Sequence, residues 1–333
     1  MVKERIFGYD ALKAISAFLV VLFHVYSIDY GYKEGEYYYP TTVLVLWLFT
    51  ACSVPLFFMI NGALTIGRSY SFKTKIIKSL RLLFIGVFWG LVLKLFYVVR
   101  YQDFSVFNSI KITRYWFFFA LAWLSLLPFL LNKVPKRFKI GIIIGLLIFP
   151  FFSNFVWDLI IFIKPSVTMP SWGHSGFCKL YGLVYLYAGH YVSHFKYRRK
   201  LSLFYFLVGL SLLAFEATAV INYRHEQLDD LALYSFPTIG ALLLSIAIFM
   251  RIKVWNPKSM KIRQLFVFLG NNSMGIYIIH ILLLVVVRGL IPELQTMTFH
   301  PIIVLLIALA YTLISAVISE LIRRSPLAFL MRF

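Results

Sequence analysis

Residues 11–28 read ALKAISAFLVVLFHVYSI. Only Lys13 and His24 in this run can carry a positive charge, and almost everything else is aliphatic or aromatic. A helix needs about 20 apolar residues to cross a hydrocarbon layer about 30 Å thick, and this block approaches that length. Residues 41–66 and 266–287 are further blocks of the same kind. The whole chain agrees with them: of 333 residues 61% are hydrophobic and 14% charged, and the mean hydropathy is +0.83. A soluble domain is about 45–50% apolar and about 25% charged, so an ordinary soluble fold is excluded. Lys13 and His24 interrupt the first apolar run, and no small-residue cleavage site follows it. It therefore reads as a retained helix and not a signal peptide.

Working outward, the apolar blocks predict spans at 11–28, 42–66, 80–99, 115–132, 139–157, 176–193, 202–221, 232–251, 265–287 and 302–322. The expected fold class is all-α: a polytopic transmembrane bundle of about ten helices, with one membrane-embedded domain over residues 1–333. Net charge is +20, from 33 Lys+Arg against 13 Asp+Glu. In a soluble protein that excess would point to nucleic acid. Here the cations fall in short runs between apolar blocks. Twenty-four of the 33 lie at the N-terminus through Lys13 and in 67–81, 132–139, 194–200, 251–263 and 323–333. Alternate loops are thus basic, which predicts both termini in the cytoplasm. The opposite loops differ: residues 29–40 read DYGYKEGEYYYP, and 157–176 carry Pro165, Pro170, Trp172 and His174. Those aromatics suit a membrane interface or a stacking surface for substrate. Cys52 and Cys178 both sit in apolar stretches and indicate no disulfide framework.

Ionisable groups at bilayer depth cost about 2.5–3.5 kcal/mol on insertion scales, so each is a functional candidate. Five qualify: Lys13, His24, Lys94, Glu216 and His280. Lys13 and His24 are eleven positions apart, about three turns plus 20°, so they share a face about 16.5 Å apart along the axis. Asp10, three residues before Lys13, can pair with it and orient it. Ser273, Tyr277 and His280 share a face of the ninth span, with His280 at a depth similar to that of His24. Two histidines at one depth suit a base and its partner, or two unrelated packing residues. Lys78 and Arg81 open the third span behind Arg68, Lys73 and Lys75. They set topology, and at a pore mouth they would also attract phosphates. Lys94 and Glu216 lie in the outer halves of their spans, where they can pair or Lys94 can snorkel. Glu320 and Arg324 make a structural i, i+4 pair. No metal-ligand spacing, phosphate loop or nucleophile elbow is present.

The order of these motifs resembles the acyltransferase-3 family of membrane O-acyltransferases. RIFGYDALKAISAFLVVLFH (5–24) resembles the family's opening helix, with its cation and histidine falling on Lys13 and His24 and lysine standing in place of arginine. VPLFFMINGALTIGR (54–68) is similar to the second-helix motif, with Asn61 where Ser is usual. FKTKIIKSLRLL (72–83), RYWFFFALAWLSLLPFL (114–130) and SMGIYIIH (273–280) resemble the third, fourth and late Tyr-x-x-His segments. The resemblance implies a multi-pass protein of a bacterial plasma membrane. It implies transfer of an acyl group, often acetyl, from cytoplasmic acyl-CoA to a hydroxyl of a glycan or lipid-linked sugar at the outer face, with no permanently bound cofactor or metal. On this reading Lys13, Lys78 and Arg81 hold the CoA phosphates. His24 is general base or transient acyl carrier, and His280 and Tyr277 orient the acceptor or stabilise the oxyanion. Asp10, Asn61, Lys94 and Glu216 are orienting residues. A transporter or flippase using the same ions as a relay is the competing class, and a receptor-like scaffold the third; paired inverted repeats and broken helices would favour transport.

The alternation of loops makes a direct prediction. Single cysteines replacing Lys136 and Tyr197 label only from the cytoplasm with a membrane-impermeant maleimide, and one replacing Glu36 only from outside. Outside labelling at position 197 contradicts the ten-span scheme.

Overall fold

The computed structural model of the chain describes residues 6–29, 32–33, 36–37, 48–68, 70–102, 115–131, 133–164, 180–223, 236–291 and 300–331. Most of the tyrosine-rich 29–40 stretch, Arg114, the 165–176 segment and Cys178 lie outside these residues. Regular structure is helical apart from a two-residue antiparallel ladder, β1 (Tyr32–Lys33) with β2 (Glu36–Tyr37). The helices are α1 (Phe7–Asp29), α2 (Ser53–Thr65), α3 (Phe72–Tyr101), α4 (Trp116–Leu124), α5 (Leu127–Leu131), α6 (Lys136–Leu147) and α7 (Ser153–Ile163). Then come α8 (Tyr181–His194), α9 (Arg199–Tyr223), α10 (Ile239–Lys253), α11 (Met260–Asn271), α12 (Ser273–Leu290) and α13 (Pro301–Arg324). Among the described residues six stretches are long and apolar enough to cross a membrane: Phe7–Val25, Leu48–Thr65, Phe72–Arg100, Lys136–Trp157, Ser273–Leu290 and Pro301–Arg324.

The first helix is the hub. α1 packs against α2, α10, α11, α12 and α13, and most of its residues between Phe7 and Val25 are buried. By contrast α6 buries none of its residues, and the exposed faces of α3 and α13 carry Leu, Ile, Val and Phe. Apolar residues facing outward and polar ones facing inward is the arrangement that hydrocarbon requires, where no water satisfies a polar group.

Close helix packing depends on small residues. A Cβ on Gly62 of α2 would strike the Leu186 carbonyl of α8, and one on Gly189 of α8 would strike the Met59 carbonyl of α2. The two backbones touch, as small residues permit in membrane bundles. Gly270 of α11 likewise lies against the backbone of Asp10. The carboxyl end of α8 is closed by Lys253, whose Nζ donates to Val192 O (2.7 Å), Ser193 O (3.0 Å) and Phe195 O (2.7 Å). A cation there satisfies orphan carbonyls and opposes the helix dipole.

Four predicted spans take a different form. The fifth (139–157) runs as α6 and α7 joined by a π-helical stretch at Ile148–Phe152. The third begins at Phe72 and not at 80, because Ser71 caps it: its Oγ accepts from Thr74 N at 3.2 Å. At 30 residues and 1.5 Å each, α3 is about 45 Å long and outreaches the hydrocarbon. Its first turns carry the cations. The fourth span divides into α4 and α5 at Ser125, which turns its hydroxyl onto Ala122 O (2.8 Å) just before Pro128. The ninth, expected as one helix over 265–287, is interrupted at Asn272, which sits at φ −100°, ψ 5°. Its amide nitrogen donates to Phe268 O (3.0 Å) and Glu320 Oε2 (3.2 Å), and its Oδ1 accepts from Ser319 Oγ (2.9 Å). The side chain competes with the helical ladder and ties the break to α13.

Gly62→Ala and Gly189→Ala are each expected to lose at least about 1–3 kcal/mol through overpacking, seen as a lower Tm in detergent. Gly141→Ala and Gly145→Ala in α6, where an added Cβ meets nothing within 4 Å, are expected to keep or raise it.

Candidate functional site

The two intramembrane histidines meet. His280 Nε2 lies 3.3 Å from His24 Nδ1, with ring centroids 4.9 Å apart. His280 is fully buried. Each ring turns Nδ1 to the carbonyl one helical turn back: His24 to Val20 O at 2.9 Å, His280 to Ile276 O at 2.8 Å. A carbonyl only accepts, so in the neutral pair both rings carry the proton on Nδ1. His280 Nε2 is then the acceptor for the His24 Nδ1–H, shared with Val20 O. With that assignment Nε2 is the unprotonated nitrogen of His24, and His280 accepts from His24.

Tyr277 stands beside it, its ring 5.9 Å from that of His280. Phe117 and Phe118 pack against Tyr277 at 5.2 and 5.6 Å, and Phe57 packs against Phe117 at 5.5 Å. This aromatic layer runs by ring contacts from His280 through Tyr277 to Phe117 and Phe57. Phe57 and Phe117 in turn line a cavity of about 760 Å³.

That cavity is strongly cationic. Lys13, Arg68, Lys75, Lys78, Arg81 and Arg323 line it, and among the described lining residues there is no carboxylate. α3 supplies three of these cations because its cap starts the helix below the apolar run. Tyr70 gathers its neighbours: Lys75 Nζ and Lys78 Nζ lie 4.8 and 4.7 Å from its ring centroid, and Arg68 donates to its hydroxyl at 3.4 Å. Arg68, then Lys78 and Lys75, hold that hydroxyl below the ordinary tyrosine range, as expected where positive charge accumulates. Arg81 donates to Phe329 O at 3.1 Å. The cavity has the volume of a small-molecule site and the charge of an anion site.

The sequence-level candidates therefore fall into groups. Lys13, Lys78 and Arg81 share the cavity with Asn61, which also accepts from Thr65 Oγ1 at 3.2 Å through Oδ1. His24, His280 and Tyr277 form the second group. Asp10 is buried beside Gly270, one turn before Lys13. Glu216 is remote: its carboxylate is buried beside Thr238 and the first residues of α10, Ile239 and Gly240. The groups that face it there are the Thr238 hydroxyl and the Ile239 and Gly240 amides, and no Lys94–Glu216 hydrogen bond is among the described contacts. Sequence reasoning omits Tyr70, an ordinary loop aromatic until two ammonium groups are seen against it. It also omits Arg323, which there looks like one more topology charge. Among the described residues no group of three or more His, Cys, Asp or Glu could hold a metal.

A family model described as an acyltransferase domain matches residues 6–321, nearly the whole chain. No curated protein and no solved structure matches.

Proposed function

The chain belongs to the acyltransferase-3 family, and from that footing we propose that it carries an acyl group, acetyl above all, from acyl-CoA to a hydroxyl of a glycan or lipid-linked sugar. The donor enters from the cytoplasm and the acceptor from the outer face. The helices are read as about ten crossings with both termini inside, as the basic loops suggest. The observation that carries the reading is the 3.3 Å contact that directs His24, lying beyond an aromatic layer from a cation-lined cavity.

CoA has a charged nucleotide end, a slim pantetheine arm and a thioester at its tip. Lys13, Lys78 and Arg81 match the phosphates by charge. The separation of about 16.5 Å along α1 between Lys13 and His24 is a distance an extended arm can span. Phe57, Phe117 and Tyr277 are apolar neighbours for that arm. At its end His24 Nε2 takes the proton of the acceptor hydroxyl as its oxygen attacks the thioester carbonyl. The tetrahedral intermediate then collapses, the C–S bond breaks, and the imidazolium returns the proton to the departing sulfur. His280 acts through His24: accepting the Nδ1–H fixes the tautomer and favours the imidazolium that forms. Tyr277 is the neighbouring donor for the acceptor or the oxyanion. The same lone pair would also serve in the acyl-carrier route, with the acyl group on Nε2 between two half-reactions.

His24→Ala is expected to insert and fold, to bind CoA, and to lose transfer by about 10²–10⁴. His280→Ala is expected to lose less. Specific activity per folded molecule is the measurement, and near-normal turnover in His24→Ala ends the mechanism. Lys13→Ala or Arg81→Ala is expected to raise the KM for acyl-CoA about tenfold or more, the loss of one charged contact. Lys13→Arg keeps the charge and is expected to keep the KM. Unchanged CoA binding in both alanine variants would leave these cations with a topological role alone.

A further inference from the structure

The wall of the cavity is finished by residues beyond the family match. That match ends at 321, yet Arg323 and Met331 both line the cavity. After α13 the chain turns at Ser325 into a 3₁₀ strap, Pro326–Leu330, which folds back onto α3. Two side chains of α3 hold it: Arg81 donates to Phe329 O at 3.1 Å, and Trp89 Nε1 to Leu330 O at 3.5 Å. Leu330 and Met331 are buried, and Met331 Sδ lies beside Gly275 of α12. The strap thus joins α3 to α12 across the cavity wall.

Arg323 is held as carefully. Its Nη1 donates to Glu320 Oε2 (3.1 Å), Asn272 Oδ1 (3.4 Å) and Asn271 O (3.5 Å). Glu320 does not cancel it, because Arg324 claims the other oxygen at 2.9 Å; two guanidinium groups share one carboxylate. The helix break at Asn272, the α13 carboxylate and the arginine therefore form one network. It presents to the cavity a cation from α13, beside those that α1, Arg68 and α3 supply. Among the described residues the arginine's hydrogen bonds use a single nitrogen, and a guanidinium has five N–H donors.

We propose that residues 323–331 are an element of the donor site: Arg323 is a further ligand for the phosphates of a nucleotide-bearing donor, positioned by Asn272, and the strap orients Arg81 to share them. The inference rests on the donor reading given above. Arg81 and Arg323 grip the anion from α3 and α13, so the nucleotide end is clamped between two helices and not held by one face. The pantetheine arm, which has no phosphate beyond that end, gains nothing from the clamp.

The test is equilibrium binding of CoA, 3′-dephospho-CoA and pantetheine to purified full-length protein in nanodiscs of zwitterionic lipid. Arg323→Gln is expected to weaken CoA about tenfold, with the CoA-to-pantetheine affinity ratio falling by the same factor and Tm unchanged. Arg323→Lys is expected to restore part of the loss. A chain ended after Arg324 is expected to lose at least as much, and because it can also fail to fold, Arg323→Gln decides alone. Wild-type CoA affinity in Arg323→Gln, or an equal loss for CoA and pantetheine, overturns the proposal. If Arg81→Ala weakens CoA while Arg323→Gln does not, the donor reading survives and only this inference falls; if the unaltered protein binds no CoA, both fall. A CoA effect seen only after phosphatidylglycerol is added assigns the cations to lipid headgroups and also overturns it.

Discussion

In hydrocarbon a polar group has no water to fall back on, so it must find its partner inside the protein. Much of this molecule follows from that requirement. Ser16, Thr65 and Thr312 turn their hydroxyls onto the carbonyl one turn back in their own helices. Asn272 breaks a helix and spends its amide on four neighbours, Phe268, Glu320, Ser319 and Arg323. The two histidines, too costly to bury separately, share one hydrogen bond. Each histidine is oriented because its other bond goes to a backbone carbonyl. A structural demand for satisfaction thereby orients both imidazole rings.

The two halves of the site are governed by different forces. In the cavity, charge dominates: six cations lie around it, and the face of Tyr70 and the Glu320 carboxylate relieve part of their mutual repulsion. Deeper in, packing dominates, through Phe57, Phe117, Phe118 and Tyr277. A ligand that is polyanionic at one end and uncharged along a thin arm suits this sequence of environments. A ligand charged throughout does not.

Much of this is legible in the sequence, and what is not has physical causes. His24, Lys13 and His280 stand out because ionisable residues are rare in apolar runs. Their contact does not, since 256 residues separate the histidines and only the packing of α1 on α12 joins them. Hydropathy begins the third span at 80, but the Ser71 cap begins it at 72; local hydrogen bonding sets a helix end, and hydrophobicity only its membrane part. The period of 3.6 runs through Asn272 without interruption, so the break depends on partners in α13 that no local pattern contains. Arg323 is read as a topology charge because its position alone cannot distinguish an arginine that faces solvent from one that faces a cavity.

The aromatic layer has a further meaning for a cell that lives on an ion gradient. On the reading proposed above, the site takes its donor from one aqueous phase and its acceptor from the other, which is, in outline, a pore. Ring contacts link the cationic cavity to the histidine pair through Phe57, Phe117 and Tyr277, and a packed aromatic plug holds no continuous water wire for protons. An uncharged arm can thread such a plug and fill it while it does so. On that same reading the plug is a gasket, which lets chemistry cross the membrane without discharging it.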